Sequence, residues 1–153
     1  MQQDANAILN TPPQDTKRSQ TVVCVTDQLS CDRIIRSGRI LANMTDTDLA
    51  IINIATPQRE NDPDAMEYLF RVSAEHGGEM NVLYSENISK ALNKYIKEHK
   101  IGYVVTGIPR ENDSVITGIW RKFIHVKFFM VQEGGELSEV TRLVMQQYGL
   151  KRA

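Results

Sequence analysis

The sequence predicts an α/β domain built on a parallel sheet, and three observations carry that prediction. Short apolar runs rich in β-branched residues recur along the chain: TVVCVT (Thr21–Thr26), DLAIINIA (Asp48–Ala55), EMNVLYS (Glu79–Ser85), IGYVVTG (Ile101–Gly107) and KFFMV (Lys127–Val131). Such runs suit strands covered on both faces. Between them lie segments whose apolar residues repeat at helical spacing. Five strands alternating with helices imply right-handed crossovers and helices on both sides of the sheet. At 153 residues there is chain enough for one core and too little for two ordinary domains.

The elements follow in order. Residues 1–19 are rich in Gln, Asn, Asp, Pro and Thr and read as a flexible arm. Residues 20–133 make the domain, and residues 134–153 a helical extension. After the first strand, Ser30 is the expected N-cap, with Asp32 favourable at the positive end of a helix. In that helix Ile34, Ile35, Leu41 and Ala42 form the inward stripe, Arg33, Arg36 and Arg39 face out, and Gly38 weakens it locally by about 1 kcal/mol relative to Ala. A turn at Thr45–Thr47 enters the second strand. Asp64–His76 reads as the next helix, closed by Gly77 and Gly78. Asn87 or Ser85 caps the third helix, where Ile88, Leu92, Tyr95 and Ile96 share a face. A short helix is expected around Ile119–Ile124. Gly134 and Gly135 mark a hinge before a last helix, Leu137–Tyr148, with Leu137, Val140, Val144 and Tyr148 on one face.

Composition narrows the function. Eighteen Lys and Arg stand against nineteen Asp and Glu, a net charge of −1, so no broad basic field exists for nucleic-acid binding. No apolar run approaches the roughly 20 residues that cross a bilayer, and the opening MQQDANAILN lacks the apolar core of a secretory signal. With two cysteines, Cys24 and Cys31, neither a disulfide framework nor a thiol metal site is expected. The expected setting is the cytoplasm.

Strand ends in such sheets gather free backbone N–H groups and helix amino termini, and ligands settle there. Thr26, Asp27, Asn53, Ile54 and Gly107, with the 108–118 loop, should meet on that rim. Asp27 or Asn53 could accept from ribose hydroxyls or base donors, and Arg110 and the backbone near Gly118 could face phosphate. The alternative is an empty rim in a protein that acts through its surfaces. Cys31 at a helix start reads as a half-buried thiol and Cys24 as core. His76 and His99 close helices, where the dipole accounts for them. Trp120 and Phe123 read as packing. No P-loop, G-x-S-x-G, H-E-x-x-H or C-x-x-C occurs, so no catalytic residue and no metal ligand is assigned.

VVCVTDQLSCDRIIRSGRILA and ISKALNKYIKEHKIGYVVTGIPR together resemble the universal stress protein family. The likeness is closest to the universal-stress-like domain of osmosensitive potassium-sensor histidine kinases, and it runs from about Thr21 to Val131. The resemblance implies a five-stranded sheet of order 3-2-1-4-5, of the adenine nucleotide alpha hydrolase-like type. It also implies homodimers paired through strand five (Phe128, Phe129, Met130 and Val131), and regulation or ligand sensing rather than turnover. The implied ligands are ATP, AMP or cyclic di-AMP, and a transporter or sensor kinase is a possible docking partner. The candidate nucleotide-binding set is Thr26, Asp27, Ser30, Asn53, Ile54, Gly107, Pro109, Arg110, Ser114, Thr117 and Gly118. The family pattern is not followed throughout. Asp27 comes one place after the strand end, Arg110 stands where a second loop glycine is usual, and Gly118 arrives early and is followed by Ile119.

Overall fold

A computed structural model describes residues 18–58, 60–108 and 115–141, the last beginning with backbone alone over 115–118. The elements are β1 (Gln20–Val25), a 3-10 turn (Leu29–Cys31), α1 (Asp32–Thr45), β2 (Asp48–Ala55), α2 (Pro63–Glu75) and β3 (Glu79–Tyr84). Then follow α3 (Ile88–Glu98), β4 (Ile101–Gly107), α4 (Val115–Lys122), β5 (Lys127–Val131) and β6 (Leu137–Glu139). The strands form one sheet of order β3-β2-β1-β4-β5-β6. The first five are mutually parallel, as the crossover argument requires.

Alternation along the strands divides the core in two. Val22, Ala50, Ile52, Val104, Phe128 and Met130 pack with Leu92 and Ile96 of α3, Ile119 of α4 and Phe123 just after it. Val23, Val25, Ile51, Val105 and Val131 pack with Ile34, Ile35 and Leu41 of α1 and with Met66, Leu69 and Val72 of α2. Trp120 sits against the first cluster, half-buried, so it packs as expected.

Two expectations are corrected at the carboxyl end of the chain. Residues Leu137–Glu139 form a strand antiparallel to β5, pairing Met130 with Ser138 and Val131 with Leu137, not the start of a helix. Gly135, at φ +94, makes a tight reversal between β5 and β6, and its N–H bonds the Gln132 carbonyl at 2.9 Å. The rest of the expected helix, residues 142–148, lies outside the described residues. The second correction is to strand five, which is not an edge. β6 occupies its open side, and Phe128, Met130 and Val131 are buried within this single chain.

Helix ends account for smaller differences. α1 begins without a side-chain cap, because the 3-10 turn brings Cys31 to the N-cap position and leaves Ser30 exposed one residue earlier. α2 starts one residue early because Pro63 takes its first position, where its missing N–H costs nothing. α4 starts at Val115, so the segment after β4 is shorter than 108–118 and Thr117 and Gly118 belong to the helix. Asn87 caps α3 as expected, its Oδ1 accepting from Lys90 N at 3.0 Å.

Gly38 is a close-packing residue, not a weak point. A Cβ there would run into Val23 Cγ2, and Val23 is a fully buried, β-branched residue with no room to turn. Gly38→Ala should therefore destabilise the protein by about 1–2 kcal/mol, because overpacking outweighs the gain in helix propensity. Urea unfolding measures it, and an unchanged or raised midpoint would refute the packing account.

Candidate functional site

β1 and β4 are neighbours, with Val23 beside Val105, so they run out together near Val25 and Gly107. The chain then leaves β1 for α1 on one face and β4 for α4 on the other. A crevice between strands opens where successive connections part in this way. Thr26, Asp27 and Gly107 lie at that point. Asn53 and Ile54 lie one strand away on β2.

The rim is tied together by its own polar groups. Asn53 is buried, and its Nδ2 donates to the Val25 carbonyl at 3.2 Å while its Oδ1 accepts from Asn61 Nδ2 at 2.8 Å. Asp27 Oδ2 accepts the backbone N–H of Asp62 at 2.8 Å. These bonds fold the β2–α2 connection back onto the end of β1. Asn53 is thus a structural group here, and Asp27 holds the amino end of α2. Thr26 is exposed, with its hydroxyl 3.4 Å from Cys31 Sγ, and Ser30 is exposed beside it. Ile54 packs partly buried against the α3 side. Gly107 passes so near Ile34 that an added Cβ would stand 3.1 Å from Ile34 Cδ1. Pro109, Arg110 and Ser114 lie outside the described residues.

Three sets of contacts near the rim were not marked from the sequence. The Asn61–Asp62 pair precedes Pro63, and Asx residues before proline are a turn signal that could have drawn attention. Arg33, expected to face outward, donates from Nη1 to the carbonyls of Val131 and Gln132 at 3.0 and 2.6 Å; no local pattern announces a partner 98 residues away. Asp32 in the first turn of α1 accepts from Tyr68 Oη at 2.7 Å and pairs with Arg36 at 3.4 Å. That hydrogen bond to Asp32, then burial, holds the Tyr68 hydroxyl above its ordinary pKa. A carboxylate at this helix start disfavours an anion there.

Two concavities lie at the opposite, amino end of the sheet. One of about 400 Å³ is lined by residues including Arg18, Thr47, Tyr103, His125 and Lys127. Another of about 340 Å³ is lined by Arg18, Arg39, Asn43, Asp48 and neighbours. Both are shallow, and Arg18 is held there by Asp46 and Asp48 at 2.7 and 3.2 Å.

Cys24 is partly buried by surface, but its sulfur is withdrawn from water, and that desolvation pushes the thiol pKa from 9.0 up to about 12. The folded chain therefore keeps the proton where the unfolded chain loses it. Stability from this group is intact below about pH 9 and falls as pH rises toward 12. Cys24→Ala should flatten that alkaline limb, and a limb unchanged by the substitution would contradict the assignment. Among the described residues no His, Cys, Asp and Glu group could hold a metal ion, and no helix is long and apolar enough to cross a membrane.

No protein-family model matches the sequence, and no curated protein matches it either. Solved structures do. A universal stress protein from Archaeoglobus fulgidus superposes with a TM-score of 0.54 at 13% identity, over 78% of this chain and 96% of that one. A universal stress protein in complex with cAMP gives 0.55 at 16%, over 77% and 99%. A universal stress protein from Archaeoglobus fulgidus in complex with dAMP gives 0.52 at 20%, over 68% and 90%. At such identities the likeness concerns the path of the backbone. This chain has the fold of universal stress proteins.

Proposed function

We propose that this chain is a non-enzymatic, cytoplasmic regulatory protein of the universal stress type, which senses an adenine nucleotide or cyclic dinucleotide at the carboxyl rim of its sheet. The observation that carries the reading is the parting of connections at the neighbouring ends of β1 and β4, where Thr26, Asp27 and Gly107 lie together, the kind of place where ligands settle in such sheets. Two structures of the same fold that hold cAMP and dAMP support it. In this reading the base and ribose lie toward Thr26 and Asp27. The phosphate lies toward Arg110, Ser114 and the first turn of α4 at Thr117 and Gly118, away from Asp32. Binding shifts the protein between two states only through unequal affinity for them. Homodimerisation belongs to the reading, with the edge of β6 rather than β5 available for strand pairing.

A second reading is favoured by the engagement of Asn53 and Asp27 within the chain. There the protein is an interaction module docking on a transporter or sensor kinase, and the rim binds nothing. Isothermal titration and thermal shift with ATP, AMP and cyclic di-AMP separate the two. The sensing reading expects saturable heat with at least one of them, lost in Arg110→Ala. No heat and no shift with all three would reject it and leave the docking module.

A further inference from the structure

The sheet has two open edges among the described residues, and they differ. β6 offers three residues, whereas β3 offers six in unbroken register with β2. The Ser85 N–H bonds the Ala55 carbonyl of β2 at 3.0 Å. Backbone groups alternate along a strand, so Asn81 and Leu83 also turn theirs toward β2, and Met80, Val82 and Tyr84 turn theirs outward. Natural edges are commonly guarded by Lys, Pro or a bulge. β3 has none of these, and Glu79 is its one charged residue. Apolar side chains gather along the same edge. Met80 and Val82 face α1 and α2, so alternation puts Tyr84 on that face too, 84% exposed. α2 adds Phe70, 43% exposed. Tyr68 reaches Asp32 of α1, and Phe70 stands roughly 200° round the helix from it, on the flank that looks past β3.

We infer that β3 pairs antiparallel with β3 of a second copy of this chain, joining the two sheets about a two-fold axis at Val82. Such an axis turns the partner strand within the plane of the sheet, so residues that share a face meet. Centred on Val82, it sets Val82 opposite the partner's Val82 and Met80 opposite the partner's Tyr84. Both pairs join residues whose backbone groups turn outward, so each pair exchanges N–H···O bonds. An axis at Asn81 would instead leave Tyr84 beyond the end of the partner strand. Charge agrees with the register. Glu79 falls opposite the partner's Ser85, and no like charges face each other. β3 thus complements itself in hydrogen bonding, in face and in charge, which singles out a second copy as the occupant. The inference does not depend on nucleotide binding at the rim.

Sedimentation of the full-length chain, with amide exchange read residue by residue, tests this. Dimers should form and should dissociate on dilution. In the dimer, exchange at Met80, Val82 and Tyr84 should slow about tenfold or more, while Asn81 and Leu83 stay protected by β2 in both states. Val82→Lys and Val82→Glu should each weaken association about tenfold, because like charges then meet on the axis. An equimolar mixture of the two variants should associate more tightly than either alone. Tyr84→Lys alters a side chain that the fold leaves exposed, so it should weaken association while native circular dichroism is kept. A chain that stays monomeric up to about 1 mM would overturn the inference. So would dimers indifferent to Tyr84→Lys, or a mixture of folded Val82 variants no tighter than its parents. Slow exchange at Val82 in a monomer would overturn it too, assigning the edge to another part of the same chain.

Discussion

Truncating Phe128 to alanine is expected to lower the unfolding free energy by about 3–5 kcal/mol, among the largest effects of any single change in the domain. Phe128 is 2% exposed and lies in the cluster shared by β1, β2, β4, α3 and α4. The cavity left behind has stiff walls, since Val104 beside it is fully buried and β-branched. Urea titration should show a lower midpoint at an unchanged slope. The shift should not depend on protein concentration, because Phe128 is filled from within one chain. A loss that grows on dilution would instead place Phe128 at a contact between copies, as an exposed fifth strand would require.

Asn53→Ala is expected to cost about 1–3 kcal/mol, because it strands the buried Val25 carbonyl and removes the partner of the half-buried Asn61 amide. Its effect reaches the rim. With Asn61 released, the β2–α2 connection is held to β1 chiefly by the bond from Asp62 N–H to Asp27. Hydrogen exchange at the Asp62 amide should accelerate in the variant, and any nucleotide response should weaken with it. A variant with native stability and unchanged exchange would show that Asn53 does not organise this rim.

The fold was legible because its signals are local and mutually consistent. The runs at β1, β2 and β4 carry a core on both faces, so their composition alone distinguishes them from amphipathic edge strands. Asn87 and the Gly77–Gly78 pair announced their helix ends through backbone chemistry that operates within four residues. β6 was missed because Leu137, Val140, Val144 and Tyr148 satisfy a helical period, while Leu137–Glu139 is fixed by pairing with β5. Three residues are too few for an alternating pattern to compete. Gly38 was misjudged for a related reason: propensity sees only its own helix, whereas Val23 on β1 decides what fits there.

The rim was legible as a place where strand ends meet, and less so in how its groups are used. Thr26, Asp27 and Gly107 were brought to one rim because strand order and crossover hand determine where strand ends gather. What the sequence did not disclose is how those groups are used. Asn53 looks like an available amide until the distances to Val25 and Asn61 are known, and Arg33 looks solvated until β5 ends beneath it.

Backbone amide chemical shifts followed during titration with AMP test the central claim most directly. The account predicts saturable shifts at Thr26, Asp27, Gly107 and the first turn of α4, with the opposite end of the sheet undisturbed. Shifts centred instead on Ser19, Thr47, Tyr103 and Lys127 would move the site to the amino end of the strands and contradict it.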